Sequence, residues 1–217
     1  MERIVKNYIS KKVITVCLAA CCVMAVSAGC VKLERPSLDR KYYTLSAVRS
    51  GQNVFTNGTS KNLIVRRIKV SSRYEDRDLV YRISENGYES DYYNAFFVPP
   101  ASMLTQELKG WMADSGIFAH VLGTDSMGTG ELLLEGVVNS IYGDLSGTSP
   151  KAVINMQFFM FDNSNPDMPI IYSRTFSKEI VADSSSASAI VVAMNKGFTD
   201  IFSELEKDIA AVVKVKN

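Results

Sequence analysis

The chain has 217 residues, 24 Lys and Arg against 23 Asp and Glu, one His, and a formal charge of +1. That length can bury a substantial core, and the balanced charge excludes the basic field that gathers nucleic acid or anionic lipid. Four Cys and one His leave little material for a soft metal site or a Cys–His catalytic pair.

The N-terminal stretch has the grammar of a secretory leader. Arg3, Lys6, Lys11 and Lys12 precede an apolar run from Val13 that ends in Ser27-Ala28-Gly29-Cys30. The small residues allow a peptidase to approach the backbone, and the thiol that follows can carry a diacylglycerol. The stretch resembles a bacterial lipobox, with Ser27 where Leu is more typical. It is somewhat short of the ~20 apolar residues of a membrane span. Cleavage between Gly29 and Cys30 is therefore expected, with residues 1–29 as signal peptide and Cys30 as the lipidation site. The remaining 188 residues would carry 20 basic and 22 acidic groups. Cys17, Cys21 and Cys22 leave with the leader, so a disulfide is excluded. Two or three acyl chains on one cysteine, at about 0.8 kcal/mol per buried methylene, make a near-permanent anchor. Val31 replaces the aspartate that retains enteric lipoproteins in the inner membrane. By that analogy the expected location is the periplasmic face of the outer membrane, with the inner membrane as the alternative.

Residues 30–41 are charged, contain Pro36 and read as a tether. The domain is expected over 42–217. Tyr42-Tyr43-Thr44-Leu45 is β-prone. Ser50–Asn62 reads as a loop, its Asn57-Gly58-Thr59 sequon being turn chemistry. Leu63–Val70 reads as one strand with Ile64, Ile68 and Val70 on a common face interrupted by Arg66. Leu79–Ile83 and Tyr88–Val98 are further strands. Pro99-Pro100 opens a helix whose Leu104, Leu108, Trp111 and Met112 form one apolar stripe, and Gly116 closes it. Ile117–Leu122 reads as a strand. Gly123–Gly130 lacks the Lys-Ser/Thr pair of a phosphate loop.

Glu131–Asp144 is strand-like. Lys151–Asp162 alternates cleanly, with Ala152, Ile154, Met156, Phe158 and Met160 on one face. Asp162–Asp167 is a turn that lacks the calcium-loop order. Ile170–Val181 returns as the partner strand, where Arg174 and Lys178 suggest partial solvation. Asp183–Ser186 can cap a last helix. Its stripe of Ile190, Met194, Phe198, Ile201, Phe202, Leu205, Ile209, Val212 and Val213 runs about seven turns, and Lys214 and Lys216 suit its dipole. The expected class is α+β: a single domain, a largely antiparallel sheet packed on two main helices, the second long and C-terminal.

No catalytic constellation assembles. His120 stands alone, no thiol remains for it, and no Gly-x-Ser-x-Gly elbow occurs. No catalytic residue, metal ligand or cofactor is therefore expected.

The order of these segments resembles the ABC-type transport auxiliary lipoproteins, including PqiC-like proteins, over nearly all of the chain after Cys30. The resemblance is carried by the lipobox, Tyr42-Tyr43-Thr44-Leu45, Leu63-Ile64-Val65, Ile68-Lys69-Val70 and Tyr74 ahead of Leu79-Val80-Tyr81-Arg82. Tyr92-Tyr93 running into Pro99-Pro100, Met103-Leu104, Leu108 and the closing helix complete it. One departure is Phe96-Phe97, where many relatives carry Trp. The resemblance implies an accessory role in envelope lipid transport. The implied partners are an MCE-domain protein, ABC and permease components, and the membrane through the N-terminal lipid. It transfers no catalytic residue and only Cys30 as a defined site. Self-association into a homo-oligomer stays open and nucleic acid is not a partner. An adaptor lipoprotein of another envelope complex and a lipid-binding lipoprotein stay open as alternatives.

Overall fold

The computed structural model describes residues 39–49, 55 and 58–213. The leader, Gly29, Cys30 and most of the tether lie outside them, as do Lys214 and Lys216. The chain divides into Met1–Leu38 and a second unit starting at Asp39. That second unit is an α+β domain with nine strands and two helices among the described residues.

Strand β7 (Leu132–Asp144) is the spine of the sheet. Along one side it pairs antiparallel with β8 (Lys151–Asp162) from end to end, and β8 pairs antiparallel with β9 (Ile170–Val181). Along its other side three short strands line up in parallel. These are β2 (Leu63–Val65) against Leu132–Leu134, β3 (Lys69–Val70) against Val137–Val138, and β4 (Asp78–Arg82) against Gly143–Asp144. Strand β5 (Tyr88–Phe96) is antiparallel to β4. The strands β1 (Lys41–Tyr43) and β6 (Val121–Gly123) add parallel edges to β5 and β2. Antiparallel pairing carries most of the paired residues, while five of the eight strand pairings are parallel and short.

Helix α1 (Pro100–Ser115) starts on Pro100 at its first turn and ends at Gly116, whose φ of 74° is left-handed. Helix α2 (Ala187–Val212) is capped by the Ser186 hydroxyl, which accepts from Ala189 N at 3.3 Å. Its stripe from Ile190 to Ile209 is wholly buried against β8 and β9. Seven large apolar side chains there contribute about 1.5–3 kcal/mol each. The close approach depends on Gly197, where an added Cβ would stand 2.7 Å from Ile154 Cδ1. On the other face of the sheet the strands carry a polar ladder. Asn139 donates to Asn155 Oδ1 at 2.8 Å, and Asn155 donates to Ser177 Oγ at 2.6 Å.

Two expectations change. The strand expected over Leu63–Val70 is two strands, because the register against β7 slips by one residue: Val65 lies opposite Leu134 but Lys69 opposite Val137. That shift buries Leu63, Val65 and Ile68, leaving Ile64 and Val70 half-covered. The strand expected over Ile117–Leu122 is confined to Val121–Gly123. Ile117 and Phe118 are instead core residues of the connection behind Gly116. Arg174 and Lys178 are partly solvated, as expected, and also reach α2, where Arg174 donates to Asp208 at 2.8 Å and to Glu204 at 3.0 Å, and Lys178 pairs with Glu204.

Candidate functional site

The sequence-predicted site, Gly29 and Cys30, lies outside the described residues. What the structure does describe is how the chain coming from it is fixed to the domain. After β1, residues 44–49 leave the sheet and run as a strap between the two helices. The backbone N–H groups of this strap are taken in turn by side chains of alternate helices. Leu45 N donates to Met103 Sδ of α1 at 3.4 Å, and Ser46 N to Asn195 Oδ1 of α2 at 3.0 Å. Ala47 N donates to Glu107 Oε2 of α1 at 2.8 Å, and Val48 N to Thr199 Oγ1 of α2 at 3.1 Å.

The spacing follows from helix geometry. Met103 and Glu107 are one turn apart on α1, as are Asn195 and Thr199 on α2, so each helix offers one polar group per turn to an extended segment between them. Leu45 is buried and keeps the strap seated.

The strap ends on a buried carboxylate. Glu206, two turns beyond Thr199, accepts from Arg49 Nε at 3.1 Å and Arg49 Nη2 at 2.6 Å. It also accepts from Trp111 Nε1 of α1 at 2.7 Å. Both carboxylate oxygens are thus used, and the bond to Glu206 holds the Arg49 guanidinium above its ordinary pKa. One glutamate therefore joins strap, α1 and α2. Sequence reasoning missed it. Glu206 sits beside Leu205 on the apolar stripe, and an acidic residue inside such a stripe is the signal that a buried partner exists.

A second buried carboxylate has a similar construction. Asp144, at the end of β7, is held by the Arg82 guanidinium of β4 and by the Ser146 hydroxyl and N–H at 2.7 and 3.1 Å. The Arg82 bond holds its pKa well below the ordinary carboxylate range, against the opposing effect of burial. Arg82 also lies 5.7 Å from the Tyr142 ring centroid. This cluster fixes the short strands to the spine.

Each carboxylate is occupied by a guanidinium and by further N–H or hydroxyl donors. Among the described residues no buried side-chain nitrogen or oxygen lacks a partner, and no three His, Cys, Asp or Glu side chains converge as a metal site. His120 is exposed in the connection to β6. An opening of about 770 Å³ lies between the β2–β3 corner and the start of α1. It is lined by Arg67, Lys69, Val70, Pro99 and Ala101, with Arg66 paired to Glu135 at its rim. No helix among the described residues is long and apolar enough to cross a membrane.

No family model matches the chain, and no curated protein matches it. Solved structures do share the fold. The crystal structure of protein XCC0632 from Xanthomonas campestris, described with the family model DUF330, superposes with a TM-score of 0.66 at 18% identity. It covers 80% of this chain and 97% of that one. An uncharacterized protein of known structure gives 0.62 at 16% identity, covering 78% and 98%. Hypothetical protein CT253 from Chlamydia trachomatis gives 0.52 at 9% identity, covering 71% and 98%. The chain is thus similar in fold, over almost the whole of each of these proteins, to domains of the same architecture.

Proposed function

We propose that this protein is a lipid-anchored envelope lipoprotein that serves as an accessory component of an ABC/MCE-type lipid transport system, holding the transport assembly at the outer membrane. The observation that carries the reading is the lipobox cysteine set a few residues ahead of a domain that grips its own N-terminal segment. A tether transmits force only if its domain end cannot peel away. The strap meets that need with four N–H bonds from consecutive residues and the Arg49–Glu206 pair, which tie it to both helices. The family resemblance supplies the transport role, and the proteins of similar fold are compatible with it. The work of the protein would be positional: acyl chains hold it to the bilayer, and its surface holds other proteins.

The test is Cys30→Ala in the full chain. Fractionation should move the protein from the outer membrane to the soluble periplasm, and an MCE-domain protein should co-purify with the wild type from membranes. An outer-membrane Cys30→Ala protein, or a wild-type protein whose cysteine carries no acyl groups, would refute the anchor. Failure to co-purify any MCE component would refute the transport role and leave the anchor standing.

A further inference from the structure

Strands β4 and β5 do not pair evenly. Val80 lies opposite Ser90 and Asp78 opposite Ala95, so Leu79 faces four residues of β5. The surplus, Asp91–Asn94, bulges out of the ladder. Its shape is fixed by one carboxylate. Asp91 accepts from Tyr93 N at 2.9 Å, Asn94 N at 3.0 Å and Asn94 Nδ2 at 2.9 Å. Tyr43 of β1 holds the same Asn94 from the other side at 3.1 Å. This construction pushes Tyr92 and Tyr93 outward, 65% and 50% exposed, with ring centroids 5.5 Å apart.

The two tyrosines belong to a larger exposed group. Phe97 is 62% exposed and meets the edge of Tyr42, itself 49% exposed, at 6.4 Å. Arg40 lies 5.7 Å from the Tyr92 centroid and Arg77 5.1 Å from that of Tyr42. Exposed aromatic rings with guanidinium groups over them are the composition of side chains that lie at a membrane–water interface, the ring among headgroups and the polar tip in water. The local charge is nearly balanced, since Arg40 pairs with Asp78, and the same segments carry Glu89 and Asp91 as well as Lys41 and Arg77. Attraction to anionic lipid is therefore not the organising force.

The place of the patch in the chain selects its occupant. Arg40 touches Tyr92, and Lys41 pairs with Asn94 at the foot of the bulge. The patch surrounds the point where the tether enters the domain, and Tyr42 is twelve residues after Cys30. Fully extended, that length reaches about 40 Å, so an acylated Cys30 keeps these rings within about 40 Å of the bilayer surface.

Resting on the lipid-anchor reading above, we propose that the Tyr92–Tyr93 bulge, with Tyr42 and Phe97, is a second membrane contact that seats in the headgroup layer and sets the orientation of the domain. A single tether leaves a domain free to swivel, whereas a tether plus a ring cluster beside it defines a face.

The experiment uses the full lipidated chain in phosphatidylcholine vesicles, with Tyr92→Trp as reporter and Met127→Trp, fully exposed in the β6–β7 loop, as control. The wild type, with only the buried Trp111, is the blank. The indole at position 92 is expected to shift its emission to the blue on reconstitution and to lose intensity when the lipids carry bromine near the headgroup. The control should do neither. Three results overturn the inference: a solvent-like spectrum for Tyr92→Trp in vesicle-bound protein, a blue shift without bromine quenching, or equal quenching of both reporters. The first two leave the anchor intact, and the second assigns the patch to a protein surface. Wild-type protein that fails to float with vesicles overturns the anchor and this inference together.

Discussion

The two halves of the sheet are built differently. The half formed by β7, β8, β9 and α2 is a continuous ladder under a continuous stripe. Long strands pair along their whole length with one register shift in each pairing, and one helix buries Ile190, Met194, Phe198, Ile201, Phe202, Leu205 and Ile209 on it. The half formed by β1–β6 has strands of two to nine residues and fills the gaps with side chains that take backbone N–H groups. Thr105 Oγ1 accepts from Ile68 N at 2.9 Å where the ladder breaks between β2 and β3, and Glu131 accepts from Asn62 N at 2.8 Å. The strap uses Met103, Glu107, Asn195 and Thr199 in the same way. Both halves share one buried core, and the second adds specific polar contacts where its short ladders leave N–H groups over.

The largest effects belong to the first half. Phe202 touches Trp111, Phe158 and Phe198 at centroid distances of 5.8, 6.5 and 6.4 Å. Phe202→Ala should cost about 3–5 kcal/mol, because a close-packed core relaxes only partly around the cavity. Urea unfolding measures it. A cost under about 1 kcal/mol would mean that α2 is not packed as tightly as its buried stripe indicates.

Glu206 lies where the halves meet. Glu206→Leu removes the acceptor of both Arg49 and Trp111 while keeping an apolar residue on α2. The expected loss is about 3 kcal/mol, most of it from removing the carboxylate that a largely covered guanidinium and an indole N–H both donate to. Arg49→Met should cost less alone, and the double variant less than the sum of the two. Additive losses in that cycle would show that the strap and α2 are not coupled through this pair.

These two cases also show what the sequence made readable. Periodicity alone placed β8, β9 and α2 to within a residue or two, since a half-buried strand or helix writes its face into every second or every third to fourth position. The strap and the β2–β3 break have no such record. Thr44–Leu45 reads as strand because Leu45 is apolar, yet Leu45 is buried under helices, outside the ladder. Arg66 looked like an interruption of a face and is in fact the corner between two strands. The tyrosine bulge was hidden because Tyr88–Phe96 alternates well enough to pass for a regular strand, while its surplus residues appear only opposite Leu79. Cys30 is the reverse case, a site expected from the sequence that lies outside the described residues.

A titration separates the halves on another axis. Asp144 closes the short-strand half onto β7, and its carboxyl is held below the ordinary range chiefly by the Arg82 bond. The native state therefore holds Asp144 charged more firmly than the unfolded chain does. The stability from this group is complete above the ordinary carboxylate pKa and is lost as pH falls through that value towards the depressed one. Asp144→Asn should destabilise by about 1–2 kcal/mol at neutral pH, since half-exposed Arg82 can rehydrate. It should also flatten the acid limb of the stability curve below about pH 4. Unfolding midpoints from pH 7 down to pH 3 decide it, and an unchanged acid limb in Asp144→Asn would assign the acid sensitivity to other carboxylates such as Glu204, which Lys178 also holds low.

The smallest expected effect tests the strap itself. Thr199→Val removes the acceptor of Val48 N and keeps the shape of the side chain. Val48 is exposed, so water can replace the lost oxygen, and the global cost should be only about 0.5–1.5 kcal/mol. The local consequence is sharper than the global one. The Val48 amide should exchange with solvent faster in Thr199→Val, while the amides of Leu45 and Ala47, which α1 accepts, keep their protection. Asn195→Ala should do the same to Ser46 alone. If one substitution freed all four amides together, the strap would be a single cooperative clasp that opens as a unit. Independent release would make it a row of separate bonds, in which a pull from the tether must break contacts to both helices one after another before it reaches the core.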